Sequence, residues 1–335
     1  MEAGTVTVDN ASPWSRAKEW GRDHPARAAM FILGVLFLLV IASKGLHDTV
    51  EASFAGLSTG AYYALGAVGL TLVYGILKLV NFAHGDFLTF GAYMAYLMNV
   101  TWGLPLAVAI LFGMAMTAVL GIFTERIMWA PMRTRRAGLL QLVLMSIGLA
   151  FLIRSVIQFF WGTEIRSLDV NTTATVDFLG VNIGRTQLVT IAIGVVVIVA
   201  VGLMLRYSML GKRMRALSDD LDLAETSGID TSRVILYTWL FAGVLAGLAG
   251  VLAAANLNLK PELGFTLLLP IFGAVVLGGI GDAFGALAGG MVLGLVTEIS
   301  TLFNEPGLKT AVGFVALIIV LIVRPQGIFG RAKAV

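Results

Sequence analysis

The chain of 335 residues has no cysteine and only three histidines, far apart at positions 24, 47 and 84. Disulfides and thiolate metal sites are therefore excluded, and no Cys/His spacing suits zinc. Charge is scarce as well, at 13% of residues with a formal net charge of +3. The Lys and Arg residues lie between apolar runs and not in a basic patch interleaved with aromatics, which argues against a nucleic-acid ligand. No GxxxxGK[ST] phosphate loop occurs anywhere, so the chain carries no P-loop ATPase. No nucleophile stands with a base, and no carboxylate or His cluster marks an embedded enzyme. Deep within the apolar runs only Arg154 and Glu298 are ionisable, with Glu125 at the edge of one. An ion-coupled secondary carrier would need more such groups deep in its spans; that class is disfavoured and stays as the alternative.

What the chain has is apolar length. Hydrophobic residues make up 58% and glycine supplies 39 positions, a composition that points to an all-α polytopic membrane protein. Apolar runs fall at about 28–43, 54–77, 85–100, 104–124, 139–161, 186–205, 234–255, 266–281, 284–303 and 308–323. These are about ten transmembrane or re-entrant segments, set against the roughly 20 residues a spanning helix needs. Eight full spans are possible, with the short run ending at Gly281 as a half-helix or re-entrant piece. Arg126, Arg133, Arg135 and Arg136, then Arg206, Lys212, Arg213, Arg215 and Arg233, then Arg324, Arg331 and Lys333 put three regions on the cytoplasmic side together with the polar N-terminus. Both termini are thus expected inside. The expected division is a cytoplasmic segment 1–27, a transmembrane domain 28–323 and a cytoplasmic tail 324–335. Loop 206–233 then lies inside and loop 162–185 outside.

Residues 54–77 contain no charge and set small side chains on one helical face: Gly56, Gly60, Ala64, Ala67, Thr71 and Gly75. Small residues let helices approach closely in lipid, where water does not drive association, so this helix is expected to be central. Gly243, Gly247, Gly250 and Ala254 form a second such face, and Gly281, Gly285 and Gly289 a third. The polar cluster Asn81-Phe82-Ala83-His84-Gly85-Asp86 sits between two apolar runs, either as an interfacial loop or as a gate that touches substrate. Asp86 is placed to accept amide hydrogen bonds at the start of the following helix. Gly85-Asp86 and Gly281-Asp282, each before an apolar run, hint at an internal repeat. Within 217–228, Ser218 reads as an N-cap and Gly228 as an αL stop of a short helix, with Leu221 and Ala224 on one side and Asp220 and Glu225 elsewhere.

The segment NFAHGDFLTFGAY (81–93) resembles the hallmark of the permease subunits of branched-chain amino acid ABC importers, which usually carry Glu at the position of Asp86. ERIMWAPMR (125–133), VLGGIGDAFGALAGG (276–290) and RPQGIFG (324–330) are similar to later motifs of that family, in matching order. The resemblance implies a multi-pass protein of the bacterial inner (plasma) membrane that imports branched-chain or other hydrophobic amino acids; related permeases handle urea, amides or aromatic acids. It implies no cofactor in this chain, with ATP hydrolysed by two partner ATP-binding subunits. It also implies a homologous second permease or a homodimer, and a periplasmic substrate-binding protein. The expected substrate pathway uses Tyr62, Tyr63, Asn81, His84, Asp86, Asn256 and Thr266. Ala224 followed by Gly228 resembles a reduced form of the loop that docks importer permeases on their ATPases. Ser218, Leu221, Ala224, Glu225 and Gly228 are the expected coupling residues, and Gly56, Gly60, Gly281, Gly285 and Gly289 the expected packing residues.

Overall fold

The computed structural model describes residue 34 and residues 38–178, 180–324 and 327. The N-terminal segment 1–27, most of the run expected at 28–43 and nearly all of the tail 324–335 lie outside the described residues. The chain divides into two compact units, Met1–Leu46 and His47–Val335. In the first, residues 38–44 are helical.

From Leu46 onward the elements are α1 (Leu46–Leu77), α2 (His84–Tyr96), α3 (Leu106–Thr124), α4 (Ala130–Thr134), α5 (Leu139–Trp161), β1 (Thr175–Phe178), β2 (Val181–Gly184), α6 (Arg185–Tyr207), α7 (Met209–Asp219), α8 (Leu221–Thr226), α9 (Thr231–Asn256), α10 (Leu263–Gly278), α11 (Ala283–Ser300) and α12 (Lys309–Val323). Single π-helical turns extend α2 through Leu97–Thr101 and α3 through Glu125–Trp129. Six stretches are long and apolar enough to cross a membrane: Leu46–Leu77, Leu106–Thr134, Leu139–Trp161, Arg185–Tyr207, Thr231–Asn256 and Ala283–Ser300. The fold is therefore a mostly helical, polytopic membrane architecture. It departs from all-α in loop 162–185, where β1 and β2 pair antiparallel from Thr175↔Gly184 to Phe178↔Val181. Asp177 closes that hairpin by accepting the Gly180 N–H at 2.8 Å.

Three apolar α-helices fall short of a span. α2 has 13 residues before its π-helical turn, α10 has 16 and α12 has 15, about 20, 24 and 22 Å at 1.5 Å per residue, against a hydrocarbon core of about 30 Å. α10 begins at Leu263 and stops at Gly278, earlier than the run 266–281 suggests, because Gly279 and Gly281 take φ values of 110° and 89° that no helix continues.

Burial identifies the centre. In the most apolar window of each helix, 89% of α1 and 72% of α9 are buried, against 17% of α6. Glycine makes this possible by letting backbones meet. A Cβ on Gly56 would lie 2.8 Å from Leu295 Cα of α11, and one on Gly290 would lie 2.5 Å from Ala64 Cα. α9 leans on α3 through Gly243, 2.7 Å from Ala118 Cα on the same measure, and through Gly247, 2.9 Å from the Gly113 carbonyl. The face read at 281, 285 and 289 is corrected in one member. Gly285 and Gly289 press on the backbone around Gly278 of α10, whereas Gly281 sits in the turn before α11 with nothing within 4 Å of its would-be Cβ.

Gly285→Leu is expected to destabilise the chain by about 1–3 kcal/mol, since no rotamer avoids the Gly278 backbone. Gly148→Leu, at a position with open space, is the control. Thermal unfolding in detergent checks the pair: equal melting temperatures for both variants and the parent would refute the backbone contact.

Candidate functional site

The break between α1 and α2 builds the most polar locus of the bundle. Lys78 takes a left-handed φ of 50° and ends α1. Asn81 then folds the chain back: its Oδ1 accepts the Ala83 N–H at 3.1 Å and its carbonyl accepts the His84 N–H at 3.2 Å. α2 starts inside the bundle. The imidazole Nε2 of His84 lies 2.9 Å from the Gly66 carbonyl, eleven residues or about 16 Å before the end of α1 at Leu77. α10 starts at the same place. Gly264 meets the Gly85 backbone directly, and the Gly264 N–H donates to Thr89 Oγ1 at 2.8 Å. Two helix N-termini, each with unpaired amides and a positive dipole end, thus converge on one point.

Asp86 occupies that point. It lies in the first turn of α2 and is fully buried, yet it does not cap the helix as the sequence suggests; Ala83 is the N-cap and provides no side-chain bond. The carboxylate instead accepts from Arg154 of α5, Nε to Oδ1 at 3.1 Å and Nη2 to Oδ2 at 3.3 Å. A charge-assisted fork of this kind outcompetes single amide bonds for a carboxylate. The guanidinium lies 4.6 Å from the ring centre of Phe265 and 5.7 Å from that of Phe151. Its side chain keeps 14% exposure, and both rings are largely exposed.

Further polar pairs extend along the same flank. Ser146 Oγ accepts the Phe82 N–H at 3.2 Å. One helical turn beyond Arg154, Gln158 Nε2 donates to Glu262 Oε1 at 3.1 Å. Beyond that, Arg166 Nη1 donates to the Tyr96 hydroxyl at 3.1 Å and Nη2 to the Trp161 carbonyl at 2.7 Å, while Arg166 and Leu259 exchange backbone bonds of 2.8 Å. A ladder of polar groups therefore runs along α5, from the start of α2 to the loop that holds the β hairpin. Ionisable side chains at membrane depth face the bundle interior or a water-filled cavity, not lipid.

The seven expected pathway residues fall into separate groups. Asn81, His84 and Asp86 gather at the convergence point; Thr266, exposed on α10, follows Phe265 there and donates its hydroxyl to the Leu263 carbonyl at 2.7 Å. Tyr62, Tyr63 and Asn256 lie elsewhere. Tyr62 donates to Thr59 at 3.1 Å, Thr59 donates to Glu298 at 2.8 Å, and Lys309 donates to the same Glu298 oxygen at 2.9 Å. Asn256 joins Ser58 at 3.2 Å and Thr190 at 2.7 Å. These groups bind helix to helix. Sequence reading noted Arg154 but not its partner, and it missed Gln158 and Glu262; the lone cation inside an apolar run was the available signal.

The stretch from Met209 to Gly228 forms two helices, where one was expected. Ser208 caps α7 by accepting the Gly211 N–H at 2.9 Å, and Asp220, not Ser218, caps α8 by accepting the Leu223 N–H at 2.9 Å. Ser218 lies in the last turn of α7 and donates to the Gly75 carbonyl of α1 at 3.1 Å. Gly228 has φ 83°, and the Ile229 N–H returns to the Ala224 carbonyl at 3.1 Å, an αL ending. Ala224 faces inward at 4% exposure and Leu221 is half-buried, while Leu223, at 64%, and Glu225 face out.

Residues 53–323 match the family model described as branched-chain amino acid transport system / permease component. The chain belongs to this family. Relatives include the high-affinity branched-chain amino acid transport system permease protein LivH of Escherichia coli K12, 31% identical over 298 residues that cover 85% of this chain and 96% of that one. BraD of Pseudomonas aeruginosa, with the same description, is 30% identical over 302 residues, covering 86% and 98%. The ribose import permease protein RbsC of E. coli K12 is 26% identical over 307 residues, covering 88% and 90%. This permease is accordingly a multi-pass protein of the inner membrane, and its polar ladder lies wholly within the matched region.

Asp86→Ala leaves the Arg154 cation with no carboxylate and is expected to cost about 3–5 kcal/mol, as removal of one partner from a buried pair does. Asp86→Asn, which keeps an acceptor, should cost less. Yield of monodisperse protein and melting temperature rank the variants, and Asp86→Ala equal to the parent would show that the pair carries no structural load.

Proposed function

We propose that this permease forms the translocation path of an ABC importer for branched-chain and other hydrophobic amino acids. The observation that carries the reading is the family match across residues 53–323, which includes the polar ladder on α2, α5 and α10. Two ATP-binding subunits would bind on the cytoplasmic side and a substrate-binding protein on the periplasmic side. A second permease, homologous or identical, would complete the path. Both termini would be cytoplasmic, as the Lys and Arg distribution argues. The chain needs no cofactor of its own on this reading, because ATP is hydrolysed by the partners.

Charge pairing speaks for this class over an ion-coupled carrier. Asp86, Glu125 and Glu298 are paired with Arg154, Arg133 and Lys309. None of these three is left uncompensated to carry a coupling ion. In α7–α8, Leu223 and Glu225 offer the outward surface to an ATPase, and Ala224 supports it from beneath.

Reconstituted alone in liposomes, the chain should move no amino acid under a sodium or proton gradient; with its ATPases, binding protein and partner permease it should take up leucine when ATP is supplied. Gradient-driven uptake by the chain alone would overturn the reading. Leu223→Glu should leave membrane insertion intact and lower ATPase co-purification several-fold, and Gly228→Val should do so more weakly, through a left-handed backbone cost of about 1 kcal/mol. Full ATPase recovery with both variants would rule out α8 as the docking element.

A further inference from the structure

We propose that Arg154 and Glu262 form a station that grips the two charges of a free amino acid during passage, with Asp86 and Gln158 as positioning residues behind them. The proposal rests on the importer reading and names the groups in this chain that meet the substrate. Four observations converge. Asp86 takes Nε and Nη2 of Arg154, and among the described residues no acceptor is recorded for Nη1, which is left to donate to an incoming carboxylate. Gln158 bonds only Oε1 of Glu262, so Oε2 is available to an ammonium group. Arg154 and Gln158 are four residues apart on α5, a rise of about 6 Å, so the guanidinium and the carboxamide that holds Glu262 lie about one turn apart on the same flank. A zwitterion whose two charged groups share one carbon would be gripped at both ends by such a pair. Phe151 and Phe265 flank the guanidinium with exposed rings, an apolar surface for the substrate's side chain.

A purely structural pair would not need this layout. Asp86 alone neutralises Arg154, and among the described residues Glu262 has no cation, only a carboxamide. An anion held open by a neutral donor, beside a cation with a spare donor, suits a ligand that carries both charges. Neutral substrates such as urea or amides would gain nothing from it.

The test uses the complete importer in proteoliposomes, with leucine as probe. Glu262→Gln retains an acceptor for Gln158, and the double variant Asp86→Asn/Arg154→Gln replaces the ion pair by two carboxamides that still hydrogen-bond. Each should assemble with its partners and lose ATP-driven leucine uptake at least tenfold; wild-type uptake by either would overturn the station. A second measurement does not depend on the fate of those variants. Because the chain has no cysteine, Phe265→Cys introduces a single thiol. A membrane-impermeant, anionic methanethiosulfonate should label it, and turnover with leucine-loaded binding protein and ATP should slow labelling at least fivefold. No labelling, or labelling at the same rate with and without turnover, would also overturn the proposal. If wild-type importer moved no amino acid at all, the importer reading itself would fail, a result distinct from either of these.

Discussion

A helix that starts inside a bilayer has to find partners for its first amides, because hydrocarbon offers none. α2 and α10 both start in this way, and they solve the problem together. Thr89 serves the first turn of α10, the Asn81 turn closes the chain ahead of α2, and Asp86 brings a negative charge to the meeting point of two positive dipole ends. Arg154 then fixes the carboxylate to α5. Remove the requirement to satisfy interrupted backbone and there is no reason for a buried acid, for its arginine, or for the polar ladder that continues from them.

The glycine contacts are the second half of that solution. Water does not press helices together in lipid, so attraction has to come from close backbone approach. Gly85 against Gly264 brings the two short helices together at their starts, and Gly278 against Gly285 joins α10 to α11 at the other end. α10 is thus pinned at both ends without contributing a bulky side chain at either, which leaves Phe265, Thr266 and Leu269 free to face outward.

Much of this was legible in the sequence, and the misses have physical causes. Charge-free length and small-residue spacing marked α1 as central because they report a local, periodic property of one helix. The polar cluster at 81–86 stood out because polarity in an apolar stretch is costly wherever it falls. Partners separated by long stretches of chain were invisible: nothing at Asp86 points to Arg154, and nothing at Gln158 points to Glu262. Caps were misread where two short helices meet, since Ser218 and Asp220 both suit an N-cap and only the kink after Asp219 decides between them. The suggested likeness of Gly85-Asp86 to Gly281-Asp282 does not extend to their roles. Asp282 caps α11 through the Phe284 and Gly285 amides, whereas Asp86 serves an arginine. Gly281 failed as a packing residue because a period-four pattern does not reveal where the helix begins.

The end of α1 joins two parts of the molecule that are otherwise treated apart. The Gly75 carbonyl accepts from Ser218 of α7 at 3.1 Å and from the Lys78 ammonium at 2.7 Å, and that ammonium also reaches the Ser218 carbonyl at 3.2 Å. Six residues, Lys78 to Ala83, then lead to α2. A tilt imposed on α7 is therefore not absorbed at the surface. It acts as a lever on the last turn of α1, and the short connection beyond carries the displacement to the first turn of α2, where the acid that holds Arg154 resides.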